Sequence, residues 1–176
     1  FNAALSFNGI NSWVTVPDAN SLDLTTAMTL EAWVYPVSHN GWGTVLEKEM
    51  PASLAYGIYA NSDLNNPTSH MYIGSDNTLR GTTQLPLNTW THLATTYDGA
   101  TQRLYVNGVA VASRAQTGSI VTSANPLRMG GNQLWGEYFN GRIDEVRIYN
   151  YARTVSQIQS DMNTAVGGTP TPTPNP

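Results

Sequence analysis

Apolar and polar residues alternate with a period of two through Leu93, Thr95 and Tyr97 against His92, Ala94 and Thr96. Leu104 and Val106 resume that period beyond a short loop, and Asn107-Gly108 then joins Tyr105-Val106 to Val109 and Val111. Asn-Gly suits a two-residue turn that needs positive φ at both centres, so this stretch predicts a meander of three antiparallel strands. Similar short runs, separated by turn residues, fall at 5–7, 13–16, 28–35, 43–48, 56–59, 70–74, 127–130 and 141–149. So many short strands with no helical pattern between them predict an antiparallel β-sandwich or barrel. Only residues 154–163 read as helical, with Val155, Ile158 and Met162 on one face and Thr154 or Ser156 as the cap. Residues 21–24 suit a single helical turn.

The chain has 176 residues, enough for one domain with a substantial core. The last ten residues form a Thr-Pro repeat with nothing apolar to bury, so the domain is expected at 1–166 and a linker at 167–176. Such a linker is expected to lead to another module of the same protein. The sequence starts at Phe1 without a signal peptide, as expected of an excised or mature piece.

Charged residues make up only 11 %, against about 25 % in an average chain, so Thr, Asn, Ser and Gly fill the surface. Such surfaces are common on secreted proteins that meet sugars or cell walls, and an extracellular location is expected. The net charge is −4 and Lys and Arg form no cluster, which argues against nucleic acid as a partner. No apolar run approaches the roughly 20 residues of a membrane-spanning helix. With no cysteine there are no disulfides and no thiolate metal sites.

Several motifs stand in order: Leu5-Ser-Phe-Asn-Gly, Trp13-Val-Thr-Val-Pro, Ser21-Leu-Asp-Leu, Met28-Thr-Leu-Glu-Ala-Trp-Val-Tyr-Pro, Trp90-Thr-His-Leu-Ala-Thr-Thr-Tyr-Asp-Gly, Leu104-Tyr-Val-Asn-Gly and Gly141-Arg-Ile-Asp-Glu-Val-Arg-Ile-Tyr-Asn. With the closing helix they resemble the laminin-G-like, concanavalin A-like jelly-roll domains, over about residues 4–163. The resemblance implies an all-β antiparallel sandwich with one short C-terminal helix, its two sheets face to face and one of them concave. It implies less about function, because this fold carries lectins, adhesion modules, glycosidases and lyases.

In Arg142-Ile-Asp-Glu-Val-Arg-Ile the apolar positions are three and then two apart, a break that predicts a bulge at Asp144-Glu145. Related jelly-roll modules often hold a structural Ca2+ between an acid near the C-terminal strand and the N-terminal Phe-Asp/Asn-Gly turn. Carried over, this nominates Asp144 and Asn8 as ligands, with Asn8 supplying no charge where many relatives have Asp. The alternative from the residues alone is that Asp144 pairs with Arg142 or Arg147, or caps backbone amides.

Two Gly-flanked loops carry the candidate ligand-binding residues: His39, Asn40 and Trp42 in one, and Asn132, Gln133, Trp135 and Tyr138 in the other. A Trp or Tyr ring stacks on the apolar face of a sugar while Asn, Gln and His bond its hydroxyls. The alternative is that Trp42 and Trp135 close the ends of the sandwich. Tyr56, Tyr59, Tyr72, Asn61 and His70 belong to strands that could line the concave face, and Trp33 and Trp90 read as core. No catalytic residue is nominated. Glu47-Lys48-Glu49 has the spacing of a carboxylate pair but no third acid, and reads as a solvated strand end. His70, Tyr72 and Arg80 match no lyase pattern. The leading expectation is a non-catalytic glycan-binding module, ahead of a protein-binding or adhesion module and of a glycosidase or lyase.

Overall fold

Alternation along the strands leaves one apolar face on each sheet, and the two faces bury each other. The structure, a computed structural model, describes residues 3–167. Its strands are β1 (Leu5–Asn8), β2 (Val14–Val16), β3 (Met28–Pro36), β4 (Gly43–Met50), β5 (Ser53–Asn61) and β6 (Thr68–Ile73). They continue as β7 (Ser75–Arg80), β8 (Thr91–Tyr97), β9 (Thr101–Val106), β10 (Val109–Ala115), β11 (Leu127–Met129) and β12 (Asn140–Tyr149). One six-stranded sheet runs β1-β12-β3-β8-β9-β10 and the other β2-β11-β4-β5-β6-β7, with antiparallel pairing throughout. This is the expected all-β sandwich.

Met28, Leu30, Ala32 and Val34 point inward from β3 and meet Leu46, Tyr56 and Ile58 of the opposite sheet in one core, all essentially without exposure. The predicted meander is β8, β9 and β10, and its turn has φ of 49° at Asn107 and 72° at Gly108. The helical turn spans Asn20–Leu22. The predicted helix is α1 (Val155–Asp161), where Thr154 and Gln157 form a capping box. Ile158 is fully buried against Ala94 and Tyr105 on the outer face of the first sheet, whereas Val155, expected on the same apolar face, is 45 % exposed. Residues 168–176, which hold nearly all of the expected linker, lie outside the described residues.

The bulge in β12 is present. Pairing with β3 shifts between Asp144 and Arg147, and Glu145 has φ 53°. Trp90 departs from expectation: it precedes β8, is 36 % exposed and packs on Tyr35 at 5.5 Å between ring centroids. Trp33 is half-buried against His92, outside the main core.

Candidate functional site

On the outer face of the second sheet, Glu47 of β4, Gly57 of β5 and His70 of β6 lie in register. A Cβ on Gly57 would stand 3.0 Å from that of Glu47, so glycine here keeps the face open between its neighbours. The loop after β3 brings Trp42 over this face, and the loop 130–139 brings Trp135 and Glu137. The result is a cleft of about 190 Å3 lined by Trp42, Leu54, Tyr59, His70, Asp76, Trp135 and Glu137.

Three rings form its inner wall. Trp42 meets Tyr59 at 5.1 Å and His70 at 5.3 Å between centroids, and Tyr59 meets His70 at 5.3 Å, all edge-on. The Arg80 guanidinium lies 5.2 Å from the Trp42 ring centroid and pairs with Asp63 at 2.6 Å. His70 Nδ1 donates to Asp76 Oδ1 at 3.1 Å, because a carboxylate can only accept. That hydrogen bond holds the Asp76 carboxyl below its ordinary range. His70 Nε2 is buried with no hydrogen-bond partner among the described residues.

A second layer supports this wall. Tyr59 Oη donates to Glu47 Oε2 at 2.5 Å. Asn132 Nδ2 donates to Glu137 Oε2 at 2.8 Å and Thr44 Oγ1 at 3.1 Å, and reaches Glu47 Oε2 at 3.5 Å. Asn132 Oδ1 accepts the Trp135 backbone N–H at 2.9 Å, which ties the loop to the sheet. Burial pushes the Glu47 carboxyl up to about 8, opposed by the Tyr59 hydrogen bond and assisted by the nearby Glu137 and Glu49. Burial also raises the Glu137 carboxyl.

Sequence and structure agree on part of this site. Trp42 and Trp135, from separate loops, face one cleft, Trp42 half-buried and Trp135 48 % exposed. Tyr59 lines it but is only 1 % exposed, and Asn132 is fully buried, so it positions the loop rather than offering an open contact. The remaining candidates are placed elsewhere. Tyr138 stacks on Trp13 at 5.7 Å, and His39 Nε2 donates to the Leu85 carbonyl at 2.8 Å. Gln133 contacts Glu49 and Arg128, and Asn61 bonds the Gly41 carbonyl. Tyr56 points into the core and donates to the Leu22 carbonyl, while the half-buried Tyr72 stands outside the cleft lining.

Glu47-Lys48-Glu49 is not a solvated strand end. Glu47 and Lys48 are fully buried and Glu49 is 7 % exposed. Lys48 pairs with Asp18, and Glu49 with Arg128. Asp76 and Glu137 carry the polar chemistry of the cleft, although neither stood out in the sequence. No motif marks them, since they come from an edge hairpin and an irregular loop.

The residues nominated for calcium do not fit one ion. Asn8 pairs with Asn140, so Asp144 lies four residues further along β12, about 13 Å away. Asn8 Oδ1 is occupied by the backbone N–H groups of Ile10, Asn11 and Ser12, and Asp144 Oδ1 by that of Glu145. Glu145 pairs with Arg147 at 3.2 Å. Among the described residues, no three His, Cys, Asp or Glu side chains group as a metal site. No described helix is long and apolar enough to cross a membrane.

The chain is 36 % identical to mouse pappalysin-1 over 129 residues, covering 66 % of this chain and 8 % of the relative. Human pappalysin-1 matches at 36 % over 121 residues, covering 61 % and 7 %. The chain thus spans under a tenth of the length of either relative. Among solved structures it is similar to domain 4 of AbnA, a GH43 extracellular arabinanase from Geobacillus stearothermophilus, in complex with arabinotriose. That match has a TM-score of 0.76 at 26 % identity and covers 90 % of this chain and 75 % of the other. The fold is shared with the CBM40 of a Ruminococcus gnavus IT-sialidase bound to alpha2,3 sialyllactose, at TM-score 0.70 and 13 % identity over 90 % and 97 % of the two chains. A family model described as the concanavalin A-like lectin/glucanases superfamily matches residues 8–159, nearly the whole described sandwich, and the chain belongs to that family.

Proposed function

We propose that this chain is a non-catalytic carbohydrate-binding module of a secreted, multidomain protein, and that it holds its glycan in the Trp42–Trp135 cleft. The observation that carries this reading is the pairing of a half-exposed Trp135 ring with a wall of Trp42, Tyr59 and His70 and with the carboxylates of Asp76 and Glu137. Flat rings cover the C–H face of a sugar, and carboxylates accept its hydroxyls. The arabinotriose complex of the similar arabinanase domain supports a glycan ligand. The likeness to arabinanase domain 4 and to the CBM40, both solved with a bound sugar, supports a non-catalytic role.

The test is a glycan array with the wild-type chain and Trp135→Ala, alongside thermal melts of both. Trp135→Ala should weaken glycan binding by roughly 1 kcal/mol or more, with little change in melting temperature. An array empty for the wild type, or binding that survives the substitution unchanged, would remove the cleft as a glycan site. A loss of several kcal/mol of stability would instead make Trp135 a structural residue.

A further inference from the structure

We propose that the cleft selects uncharged glycans, read through their hydroxyl donors, and rejects sugars bearing carboxylate or sulfate groups; this rests on the glycan-binding reading above. The support is an inventory of which polar atoms remain free. The Asp76 side chain is 52 % exposed and Glu137 is half-buried, so both present carboxylate oxygens to the cleft. The His70 side chain is 9 % exposed, and its Nδ1–H is committed to Asp76. That leaves Nε2, unpartnered among the described residues, as an acceptor whenever the ring is neutral. The Trp42 and Trp135 indole N–H groups line the cleft as uncharged donors, while the other donors nearby are engaged. Tyr59 gives its hydroxyl proton to Glu47, and Arg80 is paired with Asp63.

A site whose free charged groups are carboxylates matches a ligand that brings hydrogens. A sugar hydroxyl donates to a carboxylate in a charge-assisted bond while its ring carbons lie on indole. A uronate, sialate or sulfate group brings only acceptors and a like charge. It would meet Asp76 and Glu137 with neither a proton to share nor a free cation to pair with. Rejection by unpaired like charges is a recognised route to specificity.

The experiment is a panel of uncharged probes (arabino-, xylo- and cello-oligosaccharides) and acidic probes (sialyllactose and oligogalacturonate). Each is titrated calorimetrically into the wild type, Trp135→Ala, Glu137→Gln and Asp76→Asn, with melts confirming that each variant folds. At least one uncharged probe should bind tenfold or more tighter than every acidic probe. Glu137→Gln and Asp76→Asn should each narrow that gap at least threefold. If an acidic probe binds as well as any uncharged one and loses affinity in Trp135→Ala, the selectivity is wrong and the glycan site stands. If both carboxylate variants keep the wild-type gap, the selectivity is also wrong. If no probe of either class depends on Trp135, both readings fail.

Discussion

Replacing Glu47 by Gln should remove most of the pH dependence of stability between about pH 5 and pH 9. Glu47 is fully buried, and one of its carboxyl oxygens, Oε1, has no hydrogen-bond partner among the described residues. Desolvation by burial is the dominant cause that raises its carboxyl from an ordinary 4.5 to about 8. Between those two values the folded chain holds a proton that the unfolded chain has released. Stability from this group is therefore fully present at the acidic end and lost as pH rises through about 8. At about 1.4 kcal/mol per pH unit, the whole loss is about 5 kcal/mol, comparable to the entire stability of a marginal domain. The raised Glu137 carboxyl acts in the same direction. Asp76 and Asp98, held below their ordinary range, lose stability only as pH falls through the acid region, so they leave this window flat. Gln keeps an acceptor for the Tyr59 hydroxyl and cannot ionise. The assay is urea unfolding of wild type and Glu47→Gln near pH 5, 7 and 9. The wild type should weaken by several kcal/mol across the series, while the variant should change far less and be the more stable of the two at the alkaline end. Equal slopes for both proteins, or a flat wild type, would refute a protonated Glu47.

Two further perturbations probe the frame. Gly130→Ala should cost roughly 3 kcal/mol, because φ is +80° and a Cβ there would stand 2.0 Å from Cδ1 of the buried Phe7 ring; an unchanged urea midpoint would contradict that contact. Asn8→Ala should cost about 1 kcal/mol by stripping the acceptor from three backbone N–H groups, and the loss should be the same in EDTA and in calcium; a calcium-dependent loss would make Asn8 a ligand after all.

Strands with strict alternation, a diagnostic turn or a period break were legible in the sequence. The Asn107-Gly108 turn, β3 and the bulge at Asp144-Glu145 are of this kind, because local sterics and the two-residue period determine them. The edge strand β7, Ser-Asp-Asn-Thr-Leu-Arg, was not, since an edge strand needs little apolar character and its pairing with β6 is decided by the neighbour. The candidate site was half legible for the same reason. Trp42 and Trp135 stand out as rings in Gly-flanked loops. The burial of Glu47 depends on Tyr59, Thr44, Asn132 and Glu137 converging from separate segments, which no spacing in the sequence reveals. Charged letters read as solvated until a loop folds over them. Tyr56 and Tyr59 show how the two-residue period decides a role: three residues apart on β5, the first enters the core and the second the outer face.

Glycan occupancy of the cleft on the outer face of the second sheet is the proposal on which the functional reading depends. Its most direct test is NMR mapping on 15N-labelled protein titrated with the array's best oligosaccharide. The backbone and indole signals of Trp42, Tyr59, His70, Asp76, Trp135 and Glu137 should shift together and saturate with one affinity, and Trp135→Ala should weaken that affinity. Saturable shifts confined to Trp13 and Tyr138, or to the outer face of the first sheet around Trp33 and Trp90, would contradict it.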